Sequence, residues 1–137
     1  LSKELGRSLR HGYPLSLVLL NVTNFKQARE KHGDAAGDAL LVSLACACAE
    51  SVRGYDYACR ISDSEFAVLL PQSDSQGAHI VARRIVEKFE PDLARLAPQA
   101  NLRLHYGVAS SPDDGEMAIN LFDVADRRLY GEESGEA

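Results

Sequence analysis

Leu15-Ser16-Leu17-Val18-Leu19-Leu20-Asn21 follows Gly12-Tyr13-Pro14 as a short, nearly continuous apolar run. That is the pattern of a strand covered on both faces, so the chain needs a sheet with this segment at its centre and material packed on each side. Helical periodicity follows in Phe25 to His32 and in Asp38 to Arg53, separated by Gly33-Asp34-Ala35-Ala36-Gly37, whose glycines permit one helix to end and the next to begin. Tyr57 to Ile61 and Phe66 to Leu70 are short apolar stretches flanking Ser62-Asp63-Ser64, which predicts a β-hairpin with a polar tip, closed by Pro71. Ser73 to Phe89 fits a helix with Ile80, Val81, Ile85 and Val86 inward and Ser73 as N-cap. Leu102 to Ala109 alternates as a half-exposed strand does, and a last helix is expected from Ala118 to Tyr130 after the turn at Pro112-Asp113-Asp114-Gly115. Residues 131–137 read as a frayed tail. The order β-α-α-β-β-α-β-α predicts an α+β fold with a mixed, largely antiparallel central sheet flanked by helices.

Composition narrows the function. A chain of 137 residues, 45% hydrophobic and 26% charged, suits one globular domain with a real core. Its formal net charge of -5 argues against non-specific binding to nucleic acid or anionic membrane, which draws on excess Lys and Arg. An anionic ligand must therefore meet a local arginine cluster. No apolar run reaches the roughly 20 residues needed to span a bilayer and no signal-peptide layout is present, so no direct membrane insertion is expected. Cys46, Cys48 and Cys59 are odd in number and suit reduced, buried thiols. The expected compartment is the cytoplasm, with the cytosolic part of a membrane-associated protein as the variant. The four histidines show no metal-ligand spacing.

Five segments in order resemble the GGDEF family, the diguanylate cyclase domains of bacterial signalling. Asn21-Val22-Thr23-Asn24-Phe25-Lys26 is similar to the family's Asp-x-Asp-x-Phe-Lys, Gly37-Asp38 to its Gly-Asp, and Ser62-Asp63-Ser64-Glu65-Phe66 to its signature hairpin. Tyr106-Gly107-Val108-Ala109 corresponds to its Ile-Gly-Val-Ala strand, and Ala125-Asp126-Arg127-Arg128-Leu129-Tyr130 to its Ala-Asp-x-Ala-Leu-Tyr helix. The resemblance spans almost the whole chain and implies one domain over residues 1–137, of nucleotidyl cyclase or GGDEF-like fold, excised from a larger multidomain signalling protein.

The family joins two GTP molecules into cyclic di-GMP with divalent metal held by carboxylates at the first strand end and in the hairpin. By the resemblance those ligands fall on Asn21 and Ser64, neither of them charged, and the second strand-end Asp is Thr23. The hairpin glycines, which let backbone approach phosphate, fall on Ser62 and Asp63. The guanine-reading Asn falls on Arg29 and a phosphate-pairing Lys on Glu133. Asp38, Lys26 and Glu65 remain of the substrate-reading set, with Asn21 and Asp38 marking a vestigial cleft. Each survivor also has a plain reading: Asp38 as a helix N-cap, Glu65 as an orienting group in the hairpin, Lys26 as a solvated cation.

The family's inhibitory site is an Arg-x-x-Asp upstream of the hairpin, assisted by an Arg on the following helix, where product cyclic di-GMP binds. Arg53 and Asp56 have that spacing and Arg84 falls in register with the second arginine, with Arg83 as the neighbour one position off. Guanidinium groups can stack on guanine or fork onto its O6 and N7, and a carboxylate accepts from its N1 and N2 donors. The helix dipole would favour Arg53 at a helix C-terminus. Alone, an Arg-x-x-Asp is more simply a surface ion pair.

The resemblance thus implies a catalytically inactive, degenerate domain that binds cyclic di-GMP at Arg53, Asp56 and Arg84, needs no metal or other cofactor, and regulates a neighbouring domain or partner protein, with a homodimer as a further option. Two alternatives stand beside it: a ligand-free dimerisation or docking module, and a GTP-sensing regulatory domain.

Overall fold

The apolar run becomes β1 of the sheet, in the register its sequence demands. The computed structural model describes residues 1–96 and 102–131 and the backbone of 135–136. Elements follow in the order α1 (Ser2–His11), β1 (Leu15–Thr23), α2 (Phe25–His32), α3 (Asp34–Ser51), β2 (Tyr57–Arg60), β3 (Glu65–Pro71), α4 (Ser75–Leu96), β4 (Arg103–Ser111), α5 (Ala118–Leu129) and β5 (Gly135–Glu136). The sheet order is β2-β3-β1-β4-β5. The α+β fold is as expected, and the sheet, expected to be mixed but largely antiparallel, is antiparallel at every pairing.

Side chains alternate across a strand, so β1 feeds two cores. Val18, Leu20 and Val22 point to one face, where Leu40, Leu44, Ala82, Ile85 and Phe89 of α3 and α4 cover them. Leu15, Leu17 and Leu19 point to the other, against Leu121, Ala125 and Leu129 of α5 and Leu5 of α1. Six consecutive buried residues, Leu15 to Leu20, are the direct consequence.

Several sequence expectations shift. Helix α1 was not anticipated, because its ten residues are mostly polar and bury only Leu5 and Ser8. Helix α3 starts at Asp34 rather than Asp38, capped by Gly33 at φ 93°, so Gly37 is a helical residue. A Cβ on Gly37 would lie 3.0 Å from Arg29 Nε, so a larger residue there would have to shift the Arg29 side chain. Helix α3 also stops at Ser51, two residues short of Arg53. In α4 the cap is Asp74, whose Oδ1 accepts from the Gly77 N–H at 2.9 Å, not Ser73. Ile80 is 50% exposed and faces out, while Ile85 and Val86 face in as expected. The helix continues through Pro91 to Leu96, beyond the expected Phe89.

Strand β4 is buried on both faces from Tyr106 to Ser111, not half-exposed. Within the tail expected to fray, Gly135–Glu136 pairs with His105–Tyr106. Of the thiols only Cys48 is buried, and burial pushes its pKa up to about 12; Cys46 and Cys59 are exposed, against the expectation of buried thiols. Among the described residues no helix is long and apolar enough to cross a membrane.

Gly107 sits where β4 meets α5 backbone to backbone. A Cβ there would lie 2.2 Å from the Ala125 carbonyl oxygen and 2.5 Å from the Leu129 nitrogen, neither of which can swing aside. Gly107→Ala is expected to destabilise the domain by about 3 kcal/mol or more, measured by urea denaturation against the wild type.

Candidate functional site

The turn after α3 builds the arginine site. The Asp56 N–H donates to the Arg53 carbonyl at 3.0 Å, closing a tight turn that brings both side chains to one side. Asp56 Oδ2 accepts from the Arg53 backbone N–H at 2.7 Å and from Nε at 3.1 Å, and Oδ1 accepts from Nη2 at 3.0 Å. Nη2 also donates to the Pro71 carbonyl at 3.0 Å and to Ser73 Oγ at 2.8 Å. The guanidinium carbon lies 4.4 Å from the centroid of the Tyr55 ring. The carboxylate is 1% exposed while the arginine side chain is 44% exposed. Hydrogen bonding to Asp56 holds the Arg53 pKa above its usual value, with burial opposing.

Asp56 is therefore committed inward as the group that aims Arg53. In this arrangement three N–H donors from Arg53 surround the carboxylate, so the outward-facing chemistry of the pair belongs to the guanidinium. The sequence spacing identified the pair but not its other supports, since Pro71 and Ser73 lie 18 and 20 residues downstream of Arg53. Tyr55 lies inside the tetrad, and its sequence signal is an aromatic ring two residues from an exposed arginine.

Arg84 is exposed on α4, and its Nη1 donates to the Ser51 carbonyl at 3.4 Å, a long contact at the C-terminus of α3. The helix-end cation expected of Arg53 is thus supplied by Arg84, because α3 ends before Arg53 begins. Arg53 follows that helix end by two residues in the chain, with its guanidinium bonded to Asp56, the Pro71 carbonyl and Ser73 Oγ. Arg83 is also exposed, and Arg84 is the one with a bond to that end.

The hairpin lies at the other end of β1. Asn21 pairs with Glu65 in the β1–β3 register, which places Ser64 beside the strand end. Ser64 Oγ donates to Asn21 Oδ1 at 3.1 Å, and the Val22 N–H donates to the Ser64 carbonyl at 3.0 Å. Thr23 Oγ1 donates instead to the Arg103 carbonyl at 3.2 Å. Arg60 closes the tip, with Nε donating to the Ser62 carbonyl at 2.9 Å and Nη2 reaching Asp63 Oδ1 at 3.4 Å. Glu65 accepts from Ser62 Oγ at 3.0 Å and from the Tyr130 hydroxyl at 3.3 Å. Burial, and then the charge of Glu65, push the Tyr130 pKa up. Phe66 is buried in the core, anchoring the hairpin.

Asp38 lies on the exposed side of α3, one turn in, so it is not an N-cap. It accepts from Arg29 Nη2 at 2.5 Å, and Arg29 also sits 3.4 Å from Asp34. The Arg29 guanidinium packs over the Phe25 ring at 5.6 Å. Lys26 is exposed, and Glu133 lies outside the described residues. Among the described residues no three His, Cys, Asp or Glu side chains converge as a metal site would require.

The fold is shared with known proteins. The sequence model described as "Diguanylate cyclase, GGDEF domain" matches residues 1–136, and the chain belongs to the GGDEF family. It is 31% identical over 138 residues to an uncharacterised signalling protein of Caulobacter vibrioides, covering 98% of this chain and 17% of that protein. To the probable diguanylate cyclase DgcJ of Escherichia coli K12 it is 26% identical over 130 residues, covering 95% of this chain and 25% of the relative. The chain thus spans a quarter or less of these two relatives. Among solved structures, the GGDEF domain of PA1120 (YfiN or TpbB) from Pseudomonas aeruginosa superposes with a TM-score of 0.83 at 27% identity, covering 95% of this chain and 82% of that one.

Arg53→Ala removes Nε and Nη2 from a carboxylate that is 1% exposed. The expected loss of stability is about 1–3 kcal/mol, read by urea denaturation, and Asp56→Asn in the same background should recover part of it because the stranded charge is gone.

Proposed function

We propose that this GGDEF domain has lost cyclase activity and acts as a receptor for cyclic di-GMP through Arg53 and Arg84, with Asp56 aiming Arg53. The observation that carries the reading is the contrast between a half-exposed arginine held by Asp56 just beyond the α3 end that Arg84 contacts, and a strand-end pair, Asn21 and Ser64, that carries no charge. Phosphoryl transfer requires metal ions that neutralise charge on the transferring group, and such ions take hard, anionic oxygen ligands. At the positions the family uses, Asn21 and Ser64 offer a neutral amide and a hydroxyl that satisfy each other at 3.1 Å. That donor set does not fit a catalytic divalent cation; of the two carboxylates flanking Ser64, Asp63 is 91% exposed and paired with Arg60, and Glu65 accepts from Ser62 Oγ and the Tyr130 hydroxyl.

The guanine-reading side of the cleft supports the same conclusion. Arg29 stands where the family resemblance places an asparagine, and it grips Asp38, the residue that would otherwise help read the base. A GTP-sensing domain would have to break that ion pair and accept triphosphate without metal ligands, which disfavours this alternative. A docking module keeps one specific support: Met117, Ile119 and Phe122 are 64%, 72% and 40% exposed around the start of α5. Docking and ligand binding are compatible, since a receptor transmits its state through a partner or a neighbouring domain.

Isothermal calorimetry with cyclic di-GMP is the test. The wild type should bind, and Arg53→Ala and Arg84→Ala should each weaken binding at least about tenfold, as loss of a charge-assisted contact of about 1.4 kcal/mol or more would. Incubation with GTP and magnesium should yield no cyclic di-GMP. Heat of binding indifferent to Arg53→Ala, or measurable product formation, would contradict the proposal.

A further inference from the structure

Resting on the receptor reading, we infer that Tyr55, the second variable residue of the Arg-x-x-Asp tetrad, is a positioning residue of the ligand site: it backs one face of the Arg53 guanidinium so that the other face can stack on a purine. The geometry divides the guanidinium into spent and available parts. The edge carrying Nε and Nη2 is occupied, since those atoms donate to Asp56, the Pro71 carbonyl and Ser73 Oγ. One face is covered by the Tyr55 ring at 4.4 Å. Yet 44% of the arginine side chain is exposed, and what remains for a ligand is the Nη1 corner and the face away from Tyr55.

A planar cation held on its edge and backed by an aromatic ring is a rigid plate. Guanidinium groups stack on bases through their π-faces, and such stacking is worth more when the plate is already ordered, because no side-chain freedom is lost on binding. Tyr55 itself is 51% exposed and is absent from both buried cores, so its ring is not held there by the fold's need for apolar volume. The arrangement fits a ligand with a purine ring to lay on Arg53 and a phosphate to meet Arg84, whose Nη1 marks the same helix end at the Ser51 carbonyl.

The experiment combines calorimetry with cyclic di-GMP and the NMR signal of the Arg53 Nε–H group. Tyr55→Phe keeps the ring and should bind as the wild type does. Tyr55→Ala and Tyr55→Leu should bind about fivefold more weakly, in line with loss of a partly exposed cation–π contact and of preorganisation. In Tyr55→Ala the Arg53 Nε–H resonance should exchange faster with solvent while the thermal midpoint stays within a degree or two of the wild type, a combination that a merely structural role would not produce. If the wild type binds and Arg53→Ala does not, but Tyr55→Ala matches the wild type, the role of Tyr55 is overturned and the receptor reading stands. If the wild type itself fails to bind, the receptor reading falls and this inference falls with it.

Discussion

Antiparallel pairing of β1 on both edges is the constraint on which the rest of the domain depends. With Leu15 opposite Pro71 on one side and Ser111 on the other, and Asn21 opposite Glu65, a one-residue slip would turn every buried side chain of β1 to the wrong core. The same register fixes both candidate sites. At one end of the strand it sets Asn21 beside Ser64; at the other it holds Pro71, whose carbonyl receives Arg53, and Ser16, whose hydroxyl donates to the Ser73 carbonyl at 2.7 Å. The two sites are therefore opposite ends of one sheet, built by the same hydrogen-bond ladder.

That layout sets two ends of different chemistry on one sheet, a neutral Asn21–Ser64 pair and a charged Arg53–Asp56 pair. On the proposed reading, the ladder does not need a carboxylate at the Asn21 end, because the Asn21 amide oxygen accepts from the Ser64 hydroxyl there. Arg53 is different, since its bonds tie the turn after α3 to the end of β3 and to the residues leading into α4. Arg53 thus has a structural attachment as well as a proposed ligand, and separating the two requires variants such as Tyr55→Phe and Tyr55→Ala that spare those bonds.

Much of this was legible in the sequence where the signal was local. The double-faced burial of β1 follows from an uninterrupted apolar run, the hairpin from two short apolar stretches around a polar tip, and α5 from a period that the structure matches within one residue. What was missed depended on partners distant in sequence or on weak patterns. Helix α1 has two buried residues in ten, and the α3 start was displaced because Gly37 looked like a helix stop until its contact with Arg29 was visible. Ile80 was assigned inward from its apolar character, although its position on α4 turns it to solvent. The tetrad Arg53 to Asp56 was found by spacing, but the inward commitment of Asp56 and the support from Ser73 are tertiary facts with no local signature.

The most direct measurement of the central claim is a pair of backbone NMR titrations, one with cyclic di-GMP and one with GTP plus magnesium. The account predicts that cyclic di-GMP shifts the amides around Arg53, Tyr55, Asp56 and Arg84, leaves Asn21, Ser64 and Asp38 unmoved, and that GTP with magnesium shifts neither group at comparable concentration. Shifts centred on Asn21, Ser64 and Asp38 with GTP, or cyclic di-GMP shifts absent from the Arg53 turn, would contradict it.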